Sequence, residues 1–270
     1  MSISVGKAFE AFCSDKYNKT NVLGCMLLIG VLCLGYLYAF KSNSGNPASV
    51  SGIIAVACYL LYCIMISGYA AVLNNNEFKS DKDVFPSLTD FLKIFISGLK
   101  YLLGSFIISI ILGIVAGFIF GLSTSIIYIF IPDSLRLIAL ISICIIVCGL
   151  AFWWMFRFLV PLILMFFETL KLKSLFSFKE TKKFLDDRKG FYFQYLWKAA
   201  LAGILIGIIS FIMLLVLSLL GAVFVNDPNI LSVIITIVVM TVIMPISLII
   251  QANINGQFIN LPKAKKTYNW

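Results

Sequence analysis

Six long apolar stretches limit what this chain can fold into more than any other feature of its sequence. They cover residues 22–40, 50–73, 101–122, 135–167, 199–225 and 231–250. The hydrocarbon core of a bilayer is about 30 Å thick, and an α-helix of about 20 apolar residues crosses it. The sequence therefore predicts an all-α, polytopic integral membrane protein, in which six transmembrane helices form a single membrane domain over residues 1–270.

The composition excludes the soluble, disordered and fibrous classes of protein. Hydrophobic residues make up 61% of the chain and charged residues 12%, whereas a soluble domain has about 45–50% and about 25%. The chain has no histidine, which is the commonest general base and metal ligand, and it carries no phosphate-loop or dinucleotide-binding motif. We therefore predict a non-enzymatic protein with no catalytic, cofactor-binding or metal-binding site.

The lysines and arginines predict the orientation in the membrane. Of the 21 in the chain, all but Lys41, Arg136 and Arg157 fall before the first span, between the second and third, between the fourth and fifth, or after the sixth. Cytoplasmic loops carry an excess of Lys and Arg, so we expect both termini in the cytoplasm and the protein in the cytoplasmic (plasma) membrane. The net charge of +9 then points to anionic lipid rather than to nucleic acid.

Amphipathic segments precede the first, third and fifth spans, at about residues 3–16, 87–99 and 175–189. The clearest has one apolar stripe at helical spacing, formed by Leu88, Phe91, Leu92, Phe95, Ile96 and Leu99. Helices of this kind lie in the membrane interface. A unit of interfacial helix plus two-span hairpin would then occur three times, either as a true internal repeat or because juxtamembrane segments are generally amphipathic.

Rows of small residues predict where helices approach each other closely. Gly113, Gly117 and Gly121 follow each other at four-residue spacing in the third span, and Gly203 and Gly207 do so in the fifth. Such rows let helix backbones come together in lipid. We expect packing within the chain, with homodimerisation as the alternative.

Arg157 and a polar run near the C-terminus are the candidate functional residues within the apolar segments. Arg157 lies in the fourth span, four residues before Pro161, and Gln251 and Asn255 share a helix face after Pro245. Arg157 is interpreted either as an anchor at the headgroups, together with the tryptophans one turn earlier, or as part of a polar cytoplasmic cavity with Gln251 and Asn255.

Short motifs in the loops resemble those of a known family. Gly68-Tyr69 ends the second span, Phe85-Pro86 leads to Asp90-Phe91 and on to Gly98-Leu99-Lys100, and Leu175–Glu180 continues to Gly190-Phe191-Tyr192. These motifs are similar to those of the domain of unknown function 4013 family of prokaryotic membrane proteins. The resemblance implies a multi-pass membrane protein without an assigned activity, so it gives no catalytic residues.

Two functions are consistent with this sequence. The first is a scaffold or accessory subunit that holds anionic lipid, or a membrane or cytoplasmic protein partner, on a basic surface formed by Lys179, Lys182, Lys183, Arg188 and Lys189. The alternative is a small transporter or channel with an inward-facing polar cavity near Arg157, Gln251 and Asn255.

Reporter fusions test the predicted topology. A fluorescent protein fused after Thr181 should fluoresce and alkaline phosphatase fused there should be inactive, with the reverse result at Ser44, because the two positions are predicted on opposite sides of the membrane. If the two reporters place Ser44 and Thr181 on the same side of the membrane, the six-span arrangement is contradicted.

Overall fold

The computed structural model describes residues 3–12, 17–42, 50–79, 84–224 and 228–267, and every regular element in those ranges is helical. The α-helices are α1 (Val5–Phe12), α2 (Lys19–Ser42), α3 (Val50–Lys79), α4 (Phe91–Phe130), α5 (Asp133–Trp154), α6 (Val160–Thr169), α7 (Phe178–Asp186), α8 (Lys189–Phe224), α9 (Pro228–Val238) and α10 (Met244–Thr267). Short 3-10 turns (Leu88–Asp90, Leu172–Phe176) and π-helical turns (Met155–Leu159, Val239–Ile243) join some of them.

The predicted number of membrane helices is confirmed by length and apolar character. Six helical segments of the described chain are long and apolar enough to cross a bilayer, namely Lys19–Tyr36, Val50–Lys79, Leu88–Phe130, Asp133–Thr169, Gly190–Leu219 and Ile234–Asn260. A helix suits this environment because it satisfies its backbone hydrogen bonds internally. The chain is thus an all-helical, multi-pass membrane protein.

The amphipathic segments differ in detail from the prediction. Residues 91–99 are the first turns of α4, which runs unbroken to Phe130, because Lys100 is a good helix former and does not interrupt it. The apolar stripe of this segment is exposed except for the half-buried Phe95, and Ile94, Ser97 and Gly98 are buried instead. The segment at 3–16 contains α1, with residues 13–16 outside the described chain, and the segment at 175–189 contains the shorter α7. Their interfacial position, the threefold repeat and the side of the termini stay predictions.

The helices group into two compact units, the first made of residues 1–99 and 186–270 and the second of residues 100–185. The prediction of a single membrane domain stays a prediction. In the first unit, α10 packs against α1, α3 and α8, and α2 packs against α3. In the second unit, α6 packs against the turns on either side of it. The ring of Tyr101 lies 5.7 Å from the rings of Phe166 and Phe167, measured between centroids.

Both prolines that lie within the predicted spans follow a π-helical turn. Met155–Leu159 precedes Pro161, and Val239–Ile243 precedes Pro245. A proline has no N–H for the carbonyl four residues earlier. In a π turn, a backbone N–H donates to the carbonyl five residues earlier instead. The N–H of Val160 donates in this way to the carbonyl of Met155. The fourth and sixth spans are therefore helical throughout but locally unwound.

Arg136 closes the turn between α4 and α5. Its guanidinium donates to the carbonyls of Ile131 (3.1 Å) and Tyr128 (3.0 Å) and lies 5.1 Å from the ring centre of Tyr128. It also forms an ion pair with Asp133. A cation at a helix C-terminus satisfies the last carbonyls and the helix dipole. This arginine is therefore neutralised within the turn, which accounts for a cation outside the predicted cytoplasmic segments.

Two glycines that the family motifs include lie in direct contact with the backbone of a neighbouring helix in the first unit. A Cβ atom added at Gly68 would overlap the carbonyl oxygen of Ile94, and one added at Gly98 would overlap the carbonyl oxygen of Ile64. Each glycine thus lies directly against the backbone of the opposite helix, where no side chain fits. Beside them, the rings of Tyr69 and Phe85 are 5.7 Å apart between centroids.

Alanine substitutions test this contact. Gly68→Ala or Gly98→Ala should lower the unfolding temperature of the detergent-solubilised protein, since forcing atoms into a packed contact costs about 1–3 kcal/mol. Gly113→Ala is the matched control, because nothing lies within 4 Å of a Cβ atom there. It should be neutral or slightly stabilising, since Ala favours helix over Gly by about 1 kcal/mol. Equal effects at the three positions would contradict the contact.

Candidate functional site

The C-terminal end of α3 buries a run of polar residues. Asn74, Asn75, Asn76 and Glu77 are all less than one-tenth exposed. The side-chain amide of Asn74 donates to the carbonyl of Ala70 at 2.7 Å, and that of Asn76 donates to the carbonyl of Val84 at 3.0 Å. Buried polar groups are stable only when hydrogen-bonded, so this end of α3 requires partners from neighbouring helices.

Asn255 on α10 is the centre of the first set of partners. Its amide nitrogen donates to the side-chain oxygen of Asn74 at 2.7 Å, and its own oxygen accepts from the hydroxyl of Tyr195 at 2.9 Å. Gln251, one turn earlier, donates to the same oxygen at 3.4 Å. One side chain that is 2% exposed therefore links α3, α8 and α10.

Glu77 is the centre of the second set. Its carboxylate accepts from the hydroxyl of Tyr17 at 3.1 Å and from the amide of Asn253 at 3.0 Å. Burial raises the pKa of Tyr17 well above its ordinary value, and the Glu77 carboxylate raises it further. The phenol therefore stays protonated at neutral pH and remains a donor to the carboxylate.

The second set extends to the N-terminal end of the described chain. Gln257 donates to the side-chain oxygen of Asn253 at 2.8 Å and to the carbonyl of Ser4 at 3.1 Å, and it accepts from the backbone N–H of Ser4 at 2.8 Å. Gly256 makes the approach possible, because a Cβ atom there would overlap the Glu77 side chain. We call the eight side chains of both sets the polar cluster: Tyr17, Asn74, Glu77, Tyr195, Gln251, Asn253, Asn255 and Gln257.

The polar cluster holds helices together through directional hydrogen bonds inside an apolar unit. Such networks favour one arrangement of the helices, because a partner that moves leaves a buried polar group unsatisfied. Among the described residues, no group of three or more His, Cys, Asp or Glu side chains could hold a metal ion.

Gln251 and Asn255, predicted to share a polar site, are in contact within the polar cluster. Arg157 belongs to the other unit, where it is exposed on the π turn Met155–Leu159. A cavity shared by Arg157, Gln251 and Asn255 stays a prediction.

The predicted basic surface is divided by its degree of exposure. Lys179, Lys182 and Lys183 are exposed on α7. Arg188 is half-buried and its guanidinium donates to the carbonyl of Ile259 at 3.4 Å. Lys189 is the first residue of α8, and its side chain lies outside the described atoms.

The predicted packing glycines have open surroundings. Nothing lies within 4 Å of a Cβ atom added at Gly113, Gly117, Gly121, Gly203 or Gly207. In the first unit, a Cβ atom added at Gly68, Gly98 or Gly256 would come within 2.4 Å of an atom of another helix. The predicted role of the two rows in helix packing stays untested.

Most of the polar cluster was not predicted from the sequence. The predicted second span ends at residue 73, where hydropathy falls, although α3 continues to Lys79. The signal that could have found it is the pair of polar runs, each following directly on an apolar span. Tyr17 and Tyr195 gave no such signal, because tyrosine is common at membrane interfaces.

Comparison with known protein families gives a match over most of the chain. The family model described as "Protein of unknown function (DUF4013)" matches residues 51–222, which reach from α3 into α8 and include Gly68 and Gly98. No curated protein and no solved structure matches the chain.

Substitution of Asn255 tests the polar cluster. Asn255→Ala should destabilise the protein by about 1–3 kcal/mol for each buried partner left without a hydrogen bond, here Asn74 and Tyr195. The measurement is thermal unfolding in detergent. Asn260→Ala is the control, because Asn260 is half-buried on the same helix and lies outside the cluster. A loss no larger than that of the control would contradict the proposed role of Asn255.

Proposed function

The chain belongs to the DUF4013 family of proteins of unknown function, and we propose that this member is a non-enzymatic scaffold or accessory subunit of the cytoplasmic membrane. It binds anionic lipid headgroups on its cytoplasmic side through the exposed lysines of α7. A cytoplasmic or membrane protein is the other partner that the same surface would suit.

The arrangement of α7 is the observation that carries the proposal. Lys179, Lys182 and Lys183 lie three and four residues apart and are exposed, so they share one face of the helix. Thr181 and Phe184 are buried on the other side. The Thr181 hydroxyl lies 3.2 Å from the sulfur of Met165 and donates to the carbonyl of Ser177 at 2.9 Å. The helix is thus fixed to its unit while its lysines point outward.

The positive charge of the lysine face of α7 favours anionic lipid as its ligand. The cytoplasmic leaflet is negatively charged, and each Lys or Arg near its surface contributes about 1 kcal/mol of attraction. Glu180 lies in the first turn of α7 and offsets one of the three positive charges, so this face keeps a net positive charge. The orientation that this requires, with both termini cytoplasmic, is part of the proposal.

The scaffold role is supported by how the polar side chains are used. In the first unit they are hydrogen-bonded to one another across helices, which favours a fixed structure over a reacting one. The transporter or channel alternative requires instead a continuous polar path, and Arg157→Leu would then have to change a flux measured in reconstituted vesicles.

Neutralising the exposed lysines of α7 tests the proposal. The triple variant Lys179→Gln, Lys182→Gln, Lys183→Gln should lose preference for phosphatidylglycerol over phosphatidylcholine by up to about 100-fold at low salt, since about 3 kcal/mol of attraction is removed. The preference is measured by native mass spectrometry of the purified protein in micelles that contain both lipids.

A second triple variant controls for net charge. Lys263→Gln, Lys265→Gln, Lys266→Gln removes the same charge from the C-terminal segment, on the same predicted side of the membrane. It should keep most of the preference. If both variants lose it equally, the total charge and not α7 attracts the lipid.

A further inference from the structure

We propose that Arg157 binds the phosphate group of a membrane phospholipid. It lies in the fourth span between α5, which has no buried residue, and α6, which is largely buried. The site is formed by the π turn Met155–Leu159 and the aromatic side chains next to it. It would take zwitterionic as well as anionic phospholipids, because both carry a phosphodiester. This inference therefore does not rest on the proposed function of α7.

A change in burial places Arg157 at the headgroup region. No residue of α5 is buried, whereas α6 buries Pro161, Leu162, Leu164, Met165, Phe166 and Phe167. The 22 residues of α5 extend about 33 Å at 1.5 Å per residue, which matches a hydrocarbon core of about 30 Å. Arg157 follows directly, at the depth of the lipid phosphates.

Arg157 has no polar partner among the described residues of the protein. Its side chain is exposed, and it makes no hydrogen bond or ion pair with the described part of the chain. This contrasts with Arg136 at the other end of α5, whose guanidinium is held by two carbonyls and Asp133. A charge beside lipid is costly without an opposite charge, and the phosphate is the anion available at this depth.

Aromatic side chains give the site its position. The rings of Trp153 and Trp154 lie 6.1 Å and 5.9 Å from the ring of Phe158, measured between centroids. The ring of Phe158 meets that of Phe178 edge to face at 6.3 Å. Tryptophan is typical of the headgroup level, so the residues on both sides of Arg157 are suited to the same depth.

The chemistry of the side chain matches the ligand. A guanidinium presents two parallel N–H groups that bind two phosphate oxygens at once. A lysine in place of the arginine would keep the charge but lose the two-point contact.

Lipid selectivity tests the proposal on the full-length protein. Native mass spectrometry is performed in micelles that contain phosphatidylcholine and the phosphate-free monogalactosyl diacylglycerol. Wild-type protein should retain phosphatidylcholine preferentially. Arg157→Gln should reduce this preference roughly tenfold or more, the effect of losing hydrogen bonds to a charged group, and Arg157→Lys should give an intermediate value.

Three controls separate the possible outcomes. Arg136→Gln should leave the preference unchanged, because its guanidinium is already occupied by the protein. The triple lysine variant of α7 should also keep it, so failure of that proposal is distinguishable from failure of this one. Inorganic phosphate should not displace the bound lipid. An unchanged preference in Arg157→Gln, or displacement by inorganic phosphate, would overturn the assignment of a phospholipid to Arg157.

Discussion

The lack of hydrogen-bonding partners in lipid is the constraint on which the structure depends. Every described regular element is helical, which satisfies the backbone, and the polar side chains then have two possible locations. They either meet each other inside the protein, as Asn255 and Asn74 do at 2.7 Å, or lie where water and headgroups begin. Arg136 near one end of α5 is satisfied by two carbonyls and Asp133, and we propose that Arg157, just beyond the other end, is satisfied by a lipid phosphate.

Close backbone contact and buried hydrogen bonds act together in the first unit. Gly68 and Gly98 each lie against the backbone of the opposite helix, and Gly256 lets α10 reach Glu77. In lipid, helices gain little from burying apolar surface, so such contacts and interhelical hydrogen bonds hold them together. The motif residues Gly68 and Gly98 therefore have a structural explanation that needs no catalytic role.

The six spans could be predicted because hydropathy is summed over about 20 residues and tolerates local error. Helix ends were less predictable. α3 continues through Asn74–Glu77 and α4 begins before Lys100, because tertiary hydrogen bonds and helix propensity decide where a helix stops, and neither appears in a hydropathy average. The contact between Gln251 and Asn255 was predictable, since residues four apart share a helix face.

The order of residues alone was enough to predict a helical membrane protein with six spans and to recognise its family. Tertiary structure alone decided which glycines lie against a neighbouring backbone, and it joined residues as distant as Tyr17, Glu77 and Asn253 in one cluster. Hydropathy and short motifs depend on residues that are close together in the chain, so they can be read from the sequence. Hydrogen bonds and steric contacts join segments that are distant in the chain and that only folding brings together.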